Sequence, residues 1–152
     1  MFGRIENPVL EIKCKNGLLG GKERFSLQTF EFNENTGVND FDSLFRSLPE
    51  EIGAIKHCVL SLNCSLLNNY TRSYFLSADG KFRATIDSKS SYYRFFHSGN
   101  SFLHEYLDRF NVVLELKYDG SDDSLADQVT NKFPYRITKS SKYVTGIDRL
   151  YM

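Results

Sequence analysis

The sequence predicts an α+β fold in which antiparallel strands form a sheet and helices flank it. The 152 residues include 13 Phe, 9 Tyr and no Trp, a composition that favours strands. Short runs alternate apolar and polar residues, as half-buried strands do, and turn sequences such as Asn16-Gly17 and Asp79-Gly80 separate them. The length suits one domain with a hydrophobic core, so we expect a single domain over residues 1–152.

Individual elements follow from the same patterns. The clearest predicted strands are 9–15, 22–29, 70–75, 81–87 and 112–118, and 92–96 is a candidate for a further strand. Apolar spacing and capping residues predict helices over 41–48, from Pro49 onward, over 121–132 and over 141–150. Residues 97–110 are compatible with either a helix or a loop.

Overall charge and cysteine content exclude several classes of function. With 19 basic and 19 acidic residues the formal net charge is zero, so no global field attracts nucleic acid or a membrane surface. Three cysteines without CxxC spacing indicate neither a disulfide framework nor a zinc site. The sequence shows no apolar signal segment and no stretch long enough to span a bilayer, and we expect a cytoplasmic location.

Basic side chains recur on one face of the predicted strands. Residues two apart share a strand face, and each strand places apolar residues opposite a polar face that is mostly basic. The cations on these faces are Lys13, Lys15, Lys22, Arg24, Arg72, Arg83 and Lys117. For any one strand a solvated surface is the simpler interpretation. Across five strands the cations would repel each other unless a polyanion neutralises them, which predicts a site for a polyphosphate-like anion.

Three acidic residues share these basic faces: Glu11, Asp87 and Glu115. Carboxylates of this kind bind Mg²⁺ or Mn²⁺ together with phosphate oxygens. The alternative is that they pair with neighbouring lysines, and for Glu11 and Asp87 the two interpretations stay open. Glu115 lies in the most hydrophobic strand and is the best candidate for a metal ligand.

Six short motifs, taken in order, resemble those of the VTC domain. The motifs are Leu10-Glu-Ile-Lys13, Gly21-Lys-Glu-Arg-Phe25, Tyr70-Thr-Arg72, Arg83-Ala-Thr-Ile-Asp87, Val113-Leu-Glu-Leu-Lys117, and Lys139-Ser-Ser-Lys-Tyr143 with Gly146. This domain occurs in polyphosphate polymerases of the triphosphate tunnel metalloenzyme superfamily. The resemblance extends from about residue 8 to residue 150. It implies a tunnel-type or partial barrel fold of antiparallel strands with flanking helices.

The resemblance also implies an activity and its residues. The activity is metal-dependent transfer of the ATP γ-phosphate to a polyphosphate chain, with Mn²⁺ or Mg²⁺ as cofactor. Carried over by motif, the phosphate-binding residues are Lys13, Lys22, Arg72, Arg83, Lys139 and Lys142, with Tyr70 as a hydroxyl donor and Glu115 as metal ligand. The charge pattern adds Arg24 and Lys117 to the phosphate-binding set and Glu11 to the metal ligands. Ser141, within the last motif, completes the phosphate-binding set. The candidate catalytic residues are Lys13, Arg72, Arg83 and Lys142.

In one respect the chain departs from the family pattern. Family domains carry upstream strands, one with metal-binding glutamates and one with an Arg-x-Arg pair, and we expect this chain to lack them. Open sheet edges would then favour self-association, and we expect weak anion binding with little turnover.

Three alternatives to a polymerase were considered. They are a tunnel-type triphosphatase, a non-catalytic module that binds polyphosphate or a nucleotide, and an RNA-binding sheet. RNA binding is disfavoured because Tyr70 and Tyr74 are the only aromatic residues predicted on the basic face.

Overall fold

The computed structural model describes residues 2–16, 19–97, 100, 102, 105–136 and 138–152, without the side chains of residues 15, 16, 19 and 20. The chain divides into two compact units. Unit 1 comprises Met1–Ser65 and Phe95–Phe102, and unit 2 comprises Leu66–Arg94 and Leu103–Met152. The single domain over 1–152 stays a prediction.

Unit 1 contains two antiparallel strand pairs and two helices. Its elements are β1 (Gly3–Ile5), β2 (Val9–Asn16), β3 (Leu19–Ser26), β4 (Phe30–Phe32), α1 (Val38–Arg46) and α2 (Gly53–Leu60). Strand β1 pairs with β4, and β2 pairs with β3 as a hairpin. Helix α1 begins after Gly37. The backbone N–H of Gly37 donates to the Asp40 carboxylate at 2.8 Å, so this N–H at the start of the helix has a hydrogen-bond partner.

Phenylalanine side chains form the core of unit 1. The rings of Phe32 and Phe102 lie 5.3 Å apart between centroids, and those of Phe41 and Phe95 lie 5.5 Å apart. The fully buried Asn100 accepts a hydrogen bond from the Phe96 N–H at 2.6 Å, and its amide donates to the carbonyl oxygens of Phe96 and Thr36. These bonds satisfy backbone groups that would otherwise be buried without a partner.

Unit 2 is an antiparallel sheet with two helices. Its elements are β5 (Leu66–Leu76), β6 (Arg83–Arg94), β7 (Glu105–Asp108), β8 (Val113–Lys117), α3 (Asp123–Thr130) and α4 (Lys142–Tyr151). Strand β6 is central, with β5 paired along one of its edges. On the other edge, β8 pairs with residues 83–87 of β6 and β7 pairs with residues 90–93.

A β-bulge in β6 changes which residues share a face. Arg72 pairs with Asp87, but Asn69 pairs with Ser91, so β6 contains one more residue than β5 across this interval. Within the bulge Lys89 has a φ of 53°, which is unusual for a residue other than glycine. Because the extra residue reverses the alternation, Tyr92 lies on the same face as Asp87.

Helix α4 packs on this face through Gly146. A Cβ atom at Gly146 would lie 2.6 Å from Leu66 Cδ2 and 2.8 Å from Tyr92 Cδ1. The helix approaches the sheet this closely because glycine has no side chain at the contact. The same helix begins at Lys142, four residues earlier on the same side, so the contact fixes where Lys142 lies.

We expect Gly146→Ala to lower the free energy of unfolding by about 1–2 kcal/mol, because the added methyl group overpacks the contact with Leu66 and Tyr92. Urea unfolding followed by circular dichroism measures the change. Gly53→Ala is the matched control, since nothing lies within 4 Å of a Cβ at this other helical glycine. Its stability should stay equal or rise by up to about 1 kcal/mol. Equal losses in the two variants would contradict the packing argument.

The predicted fold class of α+β with antiparallel strands is confirmed. The described residues form three separate sheets, none of which closes on itself, so the tunnel type is not established. No helix among the described ranges is long and apolar enough to cross a membrane.

Several element boundaries differ from the predictions. The second strand covers 19–26 rather than 22–29, and the first helix covers 38–46 rather than 41–48. Of the candidate strand 92–96, residues 92–94 are the end of β6, and residues 95 and 96 lie outside any strand. The ambiguous segment 97–110 contains β7, although 98, 99, 101, 103 and 104 lie outside the described residues. The short strands β1 and β4 were not predicted.

Candidate anion-binding site

Strands β5, β6 and β8 of unit 2 place polar side chains on one shared face. Residues directly opposite each other in antiparallel strands point to the same side of a sheet. The three rows across the sheet are Arg72–Asp87–Val113, Tyr74–Thr85–Glu115 and Leu76–Arg83–Lys117. One face of the sheet therefore carries three of the predicted cations, one from each of three neighbouring strands: Arg72, Arg83 and Lys117.

Like charges stand opposite each other on this face. Arg83 and Lys117 are direct partners in the β6–β8 ladder, and both are exposed. Such a pair destabilises a sheet unless an anion lies nearby. In unit 1 the hairpin repeats the arrangement, since Lys13 is the direct partner of Lys22. In each unit one carboxylate lies within salt-bridge distance of a lysine of the pair and offsets part of the repulsion, and a bound polyanion would neutralise the positive charge that remains.

At the other end of the face, a buried carboxylate accepts hydrogen bonds from two cationic side chains. Asp87 is 2% exposed, and its two oxygens accept hydrogen bonds from Arg72 Nε at 2.6 Å and from Arg72 Nη2 at 2.7 Å. Lys142, the first residue of α4, donates to the same carboxylate. Bidentate arginine–carboxylate pairs of this kind are among the stronger and more directional ion pairs in proteins. One carboxylate therefore joins β5, β6 and the start of α4.

Two tyrosine rings lie next to the cationic groups of Arg72 and Lys142. The guanidinium carbon of Arg72 lies 5.1 Å from the Tyr70 ring centroid and 5.9 Å from that of Tyr74. Lys142 Nζ lies 4.4 Å from the Tyr70 ring centroid. Cations over ring faces are attracted by the ring quadrupole, so Tyr70 helps to hold both side chains in place. Its predicted role as a hydroxyl donor to phosphate stays a prediction.

Electrostatic effects on Asp87 follow from this geometry. The hydrogen bonds from Arg72, and then that from Lys142, lower the pKa of Asp87 from 3.8 to about 2, against the opposing effect of burial. The same pairing raises the pKa of the Arg72 guanidinium. Asp87 and Arg72 are therefore charged at neutral pH. Counted by formal charges, two cations and one carboxylate give the cluster a net single positive charge.

This pKa shift predicts a pH dependence of stability. Because the folded-state pKa of Asp87 is below its unfolded value, the ionised carboxylate stabilises the fold above about pH 4, and this contribution is lost as the pH falls towards about 2. The free energy of unfolding should decline more steeply in this range for the wild type than for Asp87→Asn. Urea unfolding at constant ionic strength measures both slopes. Equal slopes would show that Asp87 does not contribute.

Glu115, the predicted metal ligand, lies on the same face but is more accessible. Its side chain is 47% exposed, and Lys117 Nζ lies 3.3 Å from Oε2. Glu115 and Lys142 both line a cavity of about 710 Å³ within unit 2. Opposite Glu115, the buried Thr85 hydroxyl has no hydrogen-bond partner among the described residues.

A divalent ion would find few protein ligands near Glu115. Within the described part of the chain no three His, Cys, Asp or Glu side chains cluster for a metal. A Mg²⁺ or Mn²⁺ ion often binds through one or two carboxylates together with substrate phosphates and water. Glu115 fits that mode, in which phosphate oxygens and water complete the coordination.

Two other predicted residues lie at the start of α4. Ser141 is the N-cap, and its hydroxyl accepts a hydrogen bond from the Val144 N–H at 3.4 Å. Lys139 is exposed and lies three residues before the first helical residue, outside α4. Phosphate binding by either residue stays a prediction.

The remaining predicted residues belong to the β2–β3 hairpin of unit 1. Glu11 accepts a hydrogen bond from Arg24 Nε at 2.7 Å, and Lys13 and Lys22 approach its carboxylate at 3.6 and 3.8 Å. The hydrogen bond from Arg24 lowers the pKa of Glu11, and the nearby lysines add to the effect. Glu11 therefore pairs with cations, which is one of the two interpretations left open. Its role as a metal ligand stays a prediction.

Sequence reasoning missed the central role of Asp87 and undercounted the aromatic residues. Asp87 pairs with Arg72 on the next strand and with Lys142, which is 55 residues away, rather than with neighbouring lysines. The bulge also brings Tyr92 and Tyr106 onto this face, so the count of two aromatic residues was wrong. Gly146 packs against Tyr92, and the Arg149 guanidinium lies over the Tyr106 ring.

Comparisons with known proteins show the family of this chain. Neither the curated proteins nor the solved structures yield a match to this chain. The sequence model of the VTC domain, in contrast, matches residues 4–151, which is nearly the whole chain. The chain therefore belongs to the VTC domain family.

Proposed function

We propose that the chain is a polyphosphate polymerase-like domain. It binds polyphosphate or triphosphate on its basic faces and transfers the γ-phosphate of ATP to the end of a polyphosphate chain. Membership of the VTC domain family supports this proposal. The observation that carries it is the like-charged pair Arg83–Lys117 held opposite each other on the face that also presents Arg72 and Lys142.

The proposed roles follow from the charge of each residue. Arg72 and Lys142 bind phosphate oxygens at one end of the face, and Arg83 and Lys117 bind them at the other. A terminal oxygen of the polyphosphate chain attacks the γ-phosphorus, the bond to the bridging β–γ oxygen breaks, and ADP leaves. Phosphoryl transfer of this type depends mainly on positioning and on neutralisation of charge, which this set of cations supplies.

The metal and the tunnel belong to the same proposal. Glu115 would hold a Mn²⁺ or Mg²⁺ ion, which when bound neutralises charge on the phosphate oxygens. In unit 1 Lys13, Lys22 and Arg24 would bind further phosphates, as would Lys139 and Ser141 of unit 2. The triphosphate tunnel type stays the proposed fold of the chain, and the cytoplasm stays its proposed location.

Incubation of the full chain with ATP and Mn²⁺ tests the function. Long chains on a polyphosphate-stained gel would support a polymerase, and free phosphate without chains would instead indicate a tunnel-type triphosphatase. Calorimetric titration with tripolyphosphate measures binding in parallel. The absence of both binding and turnover would contradict the proposal. The low turnover expected from the sequence is tested by the same assay.

A second candidate is a non-catalytic module that binds polyphosphate or a nucleotide. One observation favours it: within the described ranges the acidic residues do not form a cluster that holds a metal by itself. Glu11 and Asp87 are engaged by cations, and Glu115, although 47% exposed, also has Lys117 Nζ 3.3 Å from its carboxylate. Tight binding of tripolyphosphate without chain synthesis or hydrolysis would identify this function.

A further inference from the structure

The cations on the unit 2 face differ in how they are held. Arg83 and Lys117 are exposed, whereas Arg72 and Lys142 are 24% and 20% exposed in their side chains and share the carboxylate of Asp87. Asp87 itself lies beneath them at 2% exposure. A ligand on this face would therefore meet the two cations, while the carboxylate stays out of its reach.

We propose that Asp87 is a positioning residue, which orients the Arg72 guanidinium, and secondarily the Lys142 ammonium, for an oxyanion such as tripolyphosphate. The inference rests on the proposed anion-binding function. Neither the charge pattern nor the motif resemblance assigns this role to Asp87, which the sequence suggested only as a metal ligand or a lysine partner.

The hydrogen-bond inventory of Arg72 supports the proposal. A guanidinium has five N–H groups in one plane, and Asp87 accepts from two of them, on Nε and Nη2, at 2.6 and 2.7 Å. Two parallel bonds fix the plane, so the remaining N–H groups point in defined directions. The Tyr70 and Tyr74 rings, with centroids 5.1 and 5.9 Å away, restrict the same group further. A phosphate would then meet donors that are already oriented.

The charges of the cluster also support the proposal that Asp87 is a positioning residue. Arg72 and Lys142 approach the same carboxylate, and without it they would repel each other. With Asp87 in place the cluster keeps one net positive charge, which still attracts an anion. The competing interpretation is purely structural: Asp87 would only attach α4 to the sheet, without orienting Arg72 for a ligand. The two interpretations differ in whether the effect of Asp87 on binding depends on Arg72.

A double-mutant cycle on the full chain tests this dependence. The variants are Asp87→Asn, Arg72→Lys and the combination, and the measurement is the Kd of tripolyphosphate by calorimetry. Lysine keeps the charge at position 72 but cannot form the planar bidentate pair. We expect Asp87→Asn to weaken binding about tenfold in the wild-type background and less than about threefold in the Arg72→Lys background. Equal losses in the two backgrounds would overturn the proposal.

Controls separate this inference from the proposed function. Asp122→Asn removes another aspartate of unit 2, one that pairs with Lys81 at 3.3 Å, and it should leave the Kd unchanged. Thermal unfolding verifies that each variant folds. If Asp87→Asn does not fold, Asp87→Glu replaces it in the same cycle, because it keeps the charge and displaces the guanidinium. Absence of binding by the wild type would overturn the proposed function, whereas binding with equal losses would overturn only the role of Asp87.

Discussion

Replacement of Arg72 by glutamine is expected to lower the free energy of unfolding by about 3 kcal/mol and to weaken tripolyphosphate binding by about a hundredfold. The stability is lost because Asp87, at 2% exposure, loses its bidentate partner and keeps only the Lys142 ammonium, and a buried charge that loses a partner is costly. The binding is lost because the phosphate loses oriented, charge-assisted donors. Urea unfolding and calorimetry at low salt measure the two effects.

Arg83→Gln is the matched control for this prediction. It removes the same group from an exposed position on the same face, so the free energy of unfolding should change by no more than about 0.5 kcal/mol. Tripolyphosphate binding should nevertheless weaken, by about tenfold. A large loss of stability in Arg83→Gln, or none in Arg72→Gln, would contradict the assignment of Asp87 as the buried centre of the site.

Replacement of Glu115 by glutamine is expected to reduce Mn²⁺-dependent polyphosphate synthesis by about a hundredfold or more, because the side chain loses the negative charge that would hold the metal. The side chain is 47% exposed, so the free energy of unfolding should stay within about 0.5 kcal/mol of the wild type. Tripolyphosphate binding without metal should stay equal or become tighter, because a carboxylate no longer repels the phosphates. Gel analysis of chain length and calorimetry measure the two outcomes.

Asp119→Asn is the control for Glu115→Gln. It removes an exposed acid that lies beyond the end of β8, and synthesis should be unchanged. If Glu115→Gln synthesised chains at the wild-type rate, Glu115 would not be the metal ligand. Equal reductions in both variants would indicate a general effect of charge rather than a metal site.

Local sequence patterns predicted much of the fold because strand alternation is a local property. Residues two apart share a face in any strand, so the positions of Arg83, Thr85 and Asp87 on one face followed from their spacing alone. The pattern failed where the backbone departs from regularity. The bulge at Lys89 inserts one residue and reverses the alternation, and a polar run such as Ser88–Ser91 does not reveal that change.

The sequence by itself determined the antiparallel α+β class, the basic strand faces and the resemblance to the VTC domain, since all of these are contained in residue spacing and motif order. Only the tertiary structure decided that Asp87 joins Arg72 to Lys142, and that Gly146 lets α4 approach the sheet. The physical reason is that a buried carboxylate needs cationic partners close in space, and folding can supply them from distant parts of the sequence. Here Lys142 lies 55 residues from Asp87 along the chain.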